Sequence, residues 1–216
     1  MKNIEAIIFD LDGTLLNTLD DLADSVNYAL RQFDFPERSL EEVRFFVGNG
    51  VRNLMRQAVP NGFDNPQFEG CLNNFREHYS KNLNNRTKPY EGIMELLSEL
   101  HRRNHKMAIV SNKFDRAVKE LAREFFSDFI PVAIGESGGV RKKPEPDCVF
   151  EALEELGTEA SHAVYVGDSE VDIETAGNAG IPCIGVTWGF RSRELLIENG
   201  AKHIIDTPME LIKLLQ

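Results

Sequence analysis

The chain has 216 residues, and its 24 lysines and arginines against 35 aspartates and glutamates give a formal net charge of -11 at pH 7. This length predicts one or at most two domains, and 42% apolar with 27% charged residues excludes a disordered or disulfide-dense chain. Because nucleic-acid binders generally need a basic face, the acidic balance argues against nucleic acid as the main partner. Any anionic ligand must therefore be held by local positive charge.

The cysteines and the apolar segments indicate where the protein works. Cys71, Cys148 and Cys183 are far apart and form no CxxC pair, which predicts neither a disulfide framework nor a zinc site and favours a reducing compartment. The early apolar run at 6–9 ends at Asp10 and is too short for a signal peptide. No segment approaches the roughly 18 apolar residues of a membrane span. These features predict a soluble cytoplasmic protein with no membrane partner.

Short apolar runs rich in β-branched residues alternate with helical patterns along most of the chain. The strand-like runs lie at 4–9, 106–110, 130–134, 163–166, 183–187 and 203–205. Runs that are apolar on both faces and alternate with helices predict a buried parallel sheet. The expected fold class is therefore α/β.

Between the first two runs the pattern is helical instead. Thr18 and Asp21 predict a capping box, and apolar residues then repeat at helical spacing up to Phe33. Further helical stretches at 40–46, 51–59 and 66–83 are separated by breaks at 60–62 and 84–86. We expect a helical domain over residues 16–87, inserted into a core domain formed by residues 1–15 and 88–216. A cleft between two such domains is where ligands commonly bind.

Two aspartates follow the first strand directly. Residues two apart in an extended segment share a side, so the carboxylates of Asp10 and Asp12 should converge where the parallel sheet ends. Such a pair is costly unless a cation or hydrogen bonds compensate it. The pattern predicts a nucleophile paired with a second carboxylate, although an Asp-Gly turn that caps a helix has the same sequence.

A second acidic group follows the strand at 163–166. Asp168 lies at the end of that strand, and Asp172 lies one helical turn further on. Hard oxygen ligands with no histidine or cysteine nearby suit Mg²⁺ rather than zinc. An aspartate that caps a helix is the ordinary alternative, but two acidic clusters at strand ends in one chain favour a metal site.

Two further segments could hold an anion. Ser111, Asn112 and Lys113 end the second strand and should open the next helix, where hydroxyl, amide and free N–H groups form an anion site. Alone, such residues more often serve as a helix N-cap. The proline-bounded loop at 141–146 contains Lys143, which would offset the carboxylates and grip a phosphate if it lies beside them. A basic loop considered alone more often faces solvent.

These four motifs, in this order and each at a strand end, resemble those of the haloacid dehalogenase superfamily. The matching segments are 10–15, Ser111-Asn112, Lys143-Pro144 and 167–172. The resemblance implies a doubly wound, Rossmann-like core domain with a small helical cap inserted after the first strand. Within the superfamily the chain is most similar to the phosphoglycolate-phosphatase group, through segments 10–30, 47–51, 89–92 and 186–190.

The resemblance also implies a Mg²⁺-dependent phosphatase that forms an aspartyl-phosphate. Asp10 would be the nucleophile, and Asp12 would act as general acid and then as general base. Mg²⁺ would be held by Asp10, the backbone carbonyl of Asp12 and Asp168, with Asp172 in support. The catalytic Ser111 and Lys143 would bind the transferring oxygens together with Gly13, Thr14 and Asn112.

The cap would choose the substrate, a small phosphorylated metabolite with 2-phosphoglycolate as the expected one. Free N–H groups of the segment Gly48-Asn49-Gly50 would receive a substrate carboxylate, although this segment is equally typical of a plain loop and N-cap. Arginines close to it in sequence would add charge: Arg44, Arg52 and Arg56.

Other functions share parts of this pattern. Pyrophosphatases, sugar-phosphate phosphatases and phosphomutases of the superfamily have the same outline, although related mutases often differ at Thr14. Dehalogenases of this type resemble the chain without the second aspartate, so Asp12 and Asp168 disfavour that reaction. A binding module that is not an enzyme would be expected to have lost a reacting residue, and all of them are present. Both a monomer and a homodimer are compatible with the sequence.

Overall fold

The computed structural model describes residues 3–215, so the outermost positions of the predicted core domain, 1, 2 and 216, lie outside the described residues. The strands are β1 (Ala6–Phe9), β2 (Leu16–Asn17), β3 (Lys88–Pro89), β4 (Lys106–Phe114), β5 (Val132–Glu136), β6 (Ala163–Gly167), β7 (Cys183–Val186) and β8 (His203–Ile205). The helices are α1 (Leu19–Arg31), α2 (Leu40–Phe46), α3 (Val51–Ala58), α4 (Phe68–Ser80), α5 (Ile93–Arg102), α6 (Asp115–Phe126), α7 (Asp147–Leu156), α8 (Glu170–Ala179), α9 (Arg193–Glu198) and α10 (Glu210–Leu214).

Six strands form one parallel sheet in the order β5-β4-β1-β6-β7-β8. The chain moves from β1 outward through β4 and β5, and then returns to the other side of β1 to continue with β6. The carboxyl ends of β1, β4 and β6 therefore meet at the point where the strand order reverses, which is where ligands bind in open α/β sheets. The α/β, doubly wound prediction is confirmed.

The central strand shows why the apolar runs are continuous. All four residues of β1 are buried. Ala6 and Ile8 pack in one hydrophobic cluster with residues of α7 and α8. Ile7 and Phe9 pack in a second cluster, which contains residues of α5 and α6 on the opposite face. Helices cover both faces, so a strand in the middle has no polar side.

Helices α1 to α4 lie between β2 and β3, two short strands that the sequence did not predict. These strands pair antiparallel, Leu16 with Pro89 and Asn17 with Lys88, so the chain leaves and re-enters the sheet domain at one place. Apolar residues of α1, α2, α3 and α4 join the larger hydrophobic cluster. The domain boundaries at 15/16 and 87/88 stay a prediction. Within residues 3–215 no helix is long and apolar enough to cross a bilayer.

The second long strand extends further than the sequence predicted. β4 continues through Ser111, Asn112 and Lys113 to Phe114, with irregular pairing to β5 between Val110 and Phe114. Helix α6 begins only at Asp115. The expectation that residues 111–113 open this helix is therefore wrong, because the edge of the sheet keeps them extended. Residues 111–113 therefore contribute the side chains of a strand, and not the free N–H groups of a helix N-terminus.

The capping box predicted at Thr18 and Asp21 is also wrong. The Thr18 hydroxyl donates to Asp12 Oδ1 at 2.6 Å, and the N-terminus of α1 has no side-chain cap. Asp21 accepts hydrogen bonds from the backbone N–H groups of Arg86 and Thr87. Thr18 thus bonds back to the segment just after β1, and Asp21 bonds to a segment about 65 residues away, so neither side chain caps the helix. The helix expected at 66–83 is shorter as well, since α4 spans Phe68–Ser80.

Candidate active site

Side chains from the carboxyl ends of β1, β4 and β6 line a cavity beneath helix α3. Its volume is about 40 Å³, and Leu22, Val47, Val51 and Leu54 form its apolar wall. The structure brings most of the predicted site residues to this cavity: Asp10, Asp12, Gly48, Gly50, Ser111, Asn112, Lys143 and Asp168. The remaining predicted residues, Gly13, Thr14, Asn49 and Asp172, are not among the residues that line it.

Three buried carboxylates form the centre of the site. One oxygen each from Asp10, Asp168 and Asp172 lies within 4.8 Å of the others. Burial and the charge of Asp172 raise the pKa of Asp10 well above its usual range, and they raise the pKa of Asp168 to about 7. This crowding of negative charge would be relieved by a divalent cation, and an all-oxygen donor set suits Mg²⁺. The residues present therefore fit the expected metal ion.

Lys143 lies against this cluster. Its Nζ is 2.9 Å from Asp10 Oδ1, 2.7 Å from Asp172 Oδ1 and 3.0 Å from the Tyr165 hydroxyl. Burial lowers the pKa of this lysine, but Asp10 and Asp172 outweigh it and raise the pKa well above its ordinary value. The ammonium group is therefore a fixed positive charge beside Asp10. Tyr165, in the middle of β6, is a contact that the sequence analysis missed.

Asp172 supports the site from below. Its Oδ1 accepts from Lys143 and from the Tyr165 hydroxyl, and its Oδ2 accepts from Ser169 N at 3.0 Å and Ser169 Oγ at 2.6 Å. Together with Ser169 it forms the capping box of α8. Both of its oxygens are occupied, so the geometry favours a role in orienting Lys143 over direct contact with a metal ion.

Asp168 is fixed from both sides by the backbone and by Thr14. Its Oδ1 accepts from the Thr14 hydroxyl at 3.2 Å, and its Oδ2 accepts from Phe190 N at 2.7 Å. Thr14 therefore touches Asp168, where a phosphate contact was expected. Gly13 has a φ of +88°, and a Cβ there would lie 2.5 Å from Asp168 Oδ2. Glycine is required at this position, because any side chain would push this carboxylate away.

Asp12 points to a different set of partners. Its Oδ1 accepts from Thr18 Oγ1 at 2.6 Å and from Lys113 Nζ at 2.6 Å. Lys113 is buried and lines the cavity, whereas the sequence analysis named it only as part of the segment 111–113 and gave its ammonium group no role. Its position would follow from the sequence if β4 had been extended, since residues 111 and 113 of a strand share a side. Ser111 forms the adjacent wall, and its Oγ accepts from Lys113 N at 3.2 Å.

Asn112 connects the cap to the core. Its Nδ2 donates to Gly48 O and to Lys143 O, both at 3.0 Å. Its Oδ1 is buried and has no hydrogen-bond partner among the described residues. The amide N–H groups expected to bind phosphate are therefore already used. Asn49 contributes its carbonyl to Lys142 Nζ at 3.2 Å.

The arginines of the cap do not behave as expected. Arg52 pairs with Glu69 and Arg56 donates to Asn53, and both stack on Phe63 outside the cavity lining. The expectation that these two charges serve the site is wrong. The guanidinium group of Arg44 donates to the carbonyls of Gly189 and Phe190, and Phe190 lines the cavity. A buried arginine that the sequence analysis missed, Arg191, does line the cavity and pairs with Glu170 at 2.9 Å.

Several known proteins are similar to this chain in sequence and in fold. A phosphoglycolate phosphatase from Pseudomonas savastanoi pv. phaseolicola (strain 1448A / Race 6) is 34% identical over 212 residues, which cover 95% of this chain and 78% of the relative. One from Aquifex aeolicus (strain VF5) is 32% identical over 213 residues, 98% of this chain and 97% of the relative. The crystal structure of a predicted phosphoglycolate phosphatase from Haemophilus somnus 129PT has a TM-score of 0.92 at 28% identity, and the match covers 100% of both chains.

The family profile that matches this chain is that of haloacid dehalogenase-like hydrolases, over residues 7–186. This segment includes all four strand-end motifs and the whole helical insert. The chain therefore belongs to the haloacid dehalogenase-like hydrolases.

Proposed function

We propose that this protein is a Mg²⁺-dependent phosphatase that hydrolyses 2-phosphoglycolate through an aspartyl-phosphate on Asp10. The observation that carries the proposal is the position of Asp10, which lies buried in a small cavity between Asp168 and the Lys143 ammonium group. Relatives named phosphoglycolate phosphatase at 32–34% identity support the choice of substrate.

The metal ion would be held by the carboxylates of Asp10 and Asp168 and by the backbone carbonyl of Asp12. When bound, Mg²⁺ supplies the positive charge that lets an anionic phosphoryl group approach a carboxylate. Thr14 and the backbone of Phe190 keep Asp168 in place.

The two oxygens of Asp10 have different surroundings. Oδ1 accepts from Leu11 N at 2.7 Å and lies beside Lys143, whereas Oδ2 accepts no hydrogen bond from residues 3–215. The free oxygen is the one available to attack phosphorus, which gives an aspartyl-phosphate and an alkoxide leaving group. The positive charge of Lys143 and a hydrogen bond from the Ser111 hydroxyl stabilise the negative charge of the transferring oxygens.

In the proposed mechanism, Asp12 moves the proton. Thr18 and Lys113 both bind its Oδ1, which fixes the carboxyl group and leaves Oδ2 to carry the proton. In the first step this proton passes to the leaving oxygen. In the second step the carboxylate takes a proton from the water that cleaves the aspartyl-phosphate, so the residue ends the cycle as it began.

The test is phosphate release from a panel of compounds, with Mg²⁺ and with a chelator in its place. The panel contains 2-phosphoglycolate, pyrophosphate, sugar phosphates and nucleotides. We expect metal-dependent turnover that is highest for 2-phosphoglycolate. A preference for pyrophosphate or a sugar phosphate would replace 2-phosphoglycolate as the proposed substrate. Transfer of the phosphate to another position of the sugar, without release of inorganic phosphate, would indicate a mutase.

Asp10→Asn tests the chemistry. Loss of the nucleophile should lower turnover by at least about 1,000-fold. Asp128→Asn, at an exposed aspartate whose side chain makes no hydrogen bond or ion pair within residues 3–215, should change nothing. Acid quench of a reaction with radiolabelled substrate should leave label on the parent protein and none on Asp10→Asn. Parent-like phosphate release by Asp10→Asn would overturn the proposed mechanism.

A further inference from the structure

We propose that Lys113 selects substrates with a second negatively charged group, such as a carboxylate, bonded to the carbon that carries the phosphate ester. This inference rests on the proposed phosphatase function and deepens it, because it names the residue that recognises the leaving group. Nothing in the resemblance or in the comparisons assigns a role to this lysine.

Lys113 is held in a fixed position at the cavity. Its side chain is 3% exposed, and its Nζ lies 2.6 Å from Asp12 Oδ1 and 4.8 Å from the centroid of the Tyr79 ring. Tyr79 belongs to α4 of the helical insert, so the ammonium group lies between the sheet domain and the cap. A carboxylate on one side and an aromatic face on the other fix a buried cation firmly.

Among the described residues, three cationic side chains line the cavity, and they differ in whether their N–H groups already have acceptors. Lys143 uses its three N–H groups on Asp10, Asp172 and Tyr165. Each of the three nitrogens of Arg191 donates to a protein oxygen, and Glu170 balances its charge.

Lys113 is different in this respect. It donates a hydrogen bond to Asp12, and Tyr79 is its other close partner. An N–H directed at the Tyr79 ring still leaves the third N–H of the ammonium group without an acceptor. Lys113 therefore keeps an N–H for a ligand, and of the three cations it is the one that contacts Asp12.

The position of Lys113 relative to the reaction determines which ligand it would meet. Asp12 is the residue proposed to protonate the leaving oxygen, so that oxygen must lie next to it. A cation in contact with Asp12 is within reach of a carboxylate one carbon away from the same oxygen, as in 2-phosphoglycolate. A neutral leaving group would bind the ammonium group more weakly than a carboxylate, because a hydrogen bond between two charged groups is stronger than one to a neutral acceptor.

The experiment compares 2-phosphoglycolate with its carboxamide, phosphoglycolamide, which has the same shape and no carboxylate charge. We expect kcat/KM of the parent protein to be about 100-fold higher for 2-phosphoglycolate. Lys113→Gln keeps a donor for Asp12 and removes the charge, and Lys113→Met removes both. Both variants should lose activity on both compounds, since Asp12 loses a partner, but the loss should be about 100-fold greater for 2-phosphoglycolate than for the amide, so that the preference disappears. Lys119→Met, at an exposed lysine that pairs with Asp115, is the matched control and should keep the preference.

Binding to Asp10→Asn gives a second measurement that does not require a Lys113 variant to fold. In calorimetry, Asp10→Asn should bind 2-phosphoglycolate more tightly than phosphoglycolamide, by a factor similar to the expected preference in kcat/KM. Equal affinities there, equal kcat/KM values in the parent, or a preference that survives in folded Lys113 variants would overturn the inference while phosphate release upholds the phosphatase. A parent protein that releases phosphate from neither compound would overturn the proposed function instead.

Discussion

Arg44 and Arg191 each donate hydrogen bonds to backbone carbonyls on the opposite side of the junction between the helical insert and the sheet domain. Arg44, on α2, donates to Gly189 O and Phe190 O, both at 2.9 Å. Arg191, on the sheet side, donates to Arg44 O at 3.0 Å and to Val47 O at 2.7 Å. The second pair of carbonyls lies at the C-terminus of α2, where free carbonyls favour a cation. Each domain therefore supplies both a guanidinium group and the carbonyls that receive the other one.

Arg191→Ala should loosen this junction. The side chain is buried, and its loss leaves Glu170 and two carbonyls without their donor, at an expected loss of about 3 kcal/mol in the free energy of unfolding. We also expect KM to rise, because the apolar wall from the cap is no longer held over the cavity. Urea unfolding and steady-state kinetics measure the two effects.

Arg52→Ala is the matched control for this variant. Arg52 is also a cap arginine in an ion pair, but it lies on the exposed surface with Glu69. It should therefore leave both stability and KM at the parent values. If Arg191→Ala behaves like Arg52→Ala, the junction contributes nothing to holding the cap.

The acidic half of the site could be predicted from the sequence because each part of it is local. Asp10 and Asp168 each follow a strand directly, and parallel strands present their carboxyl ends at one edge. Once the strands were assigned, the convergence of these carboxylates followed without knowledge of any other contact. The same reasoning placed Lys143 only conditionally, because a loop has no fixed direction until it packs.

The basic half of the site depends on contacts between distant segments. Lys113 reaches Asp12 only because β4 continues beyond Val110, and the sheet, not the local sequence, decides where that strand ends. Arg191 meets carbonyls more than 140 positions away along the chain. Asp21 looked like part of a helix cap, but it binds the backbone at residues 86 and 87. A periodic pattern contains no information on such pairs, which arise when the insert docks on the sheet.

Without metal, the protein should lose stability as the pH rises from about 4 to about 7. Burial and Asp172 raise the pKa of Asp168 from its ordinary 3.8 to about 7 in the folded state, and the pKa of Asp10 is raised too. In this range the folded protein retains protons that the unfolded chain has lost, so unfolding becomes more favourable as the pH rises. Mg²⁺ should reverse this, and we expect it to raise Tm by about 5 °C or more near pH 8 and far less near pH 5.

The difference between Mg²⁺ and a chelator at each pH isolates this effect. Burial lowers the pKa of His78 and His105, which makes the protein more stable as the pH rises, but their contribution is the same with and without metal. Asp168→Asn removes the group responsible, and should make the Mg²⁺ effect on Tm small at both pH values. An equal Mg²⁺ effect at pH 5 and pH 8 in the parent would contradict the assignment.

Gly13→Ala should abolish metal binding with little general unfolding. The new Cβ would lie 2.5 Å from Asp168 Oδ2, at a backbone φ of +88° that alanine rarely adopts. The carboxylate must move to avoid it, so we expect phosphatase activity to fall at least about 100-fold and the Mg²⁺-dependent rise in Tm to disappear. Gly157→Ala has a φ of +59° but open space around the Cβ, so it separates backbone strain from the clash. Loss of the Mg²⁺ response in both variants would refute the explanation by contact.

Asn112→Asp distinguishes two roles for the amide. Its Nδ2 donates to Gly48 O and Lys143 O, and an ionised aspartate would turn an acceptor toward both carbonyls. If the amide joins cap and core, the ligand-free protein should lose about 2 kcal/mol in urea unfolding, and KM should rise. If the amide instead serves only to bind phosphate, the new charge would repel substrate and leave ligand-free stability unchanged. Asn178→Asp makes the same change where an exposed amide donates to Pro144 O alone, and water can replace that bond, so stability there should stay at the parent value.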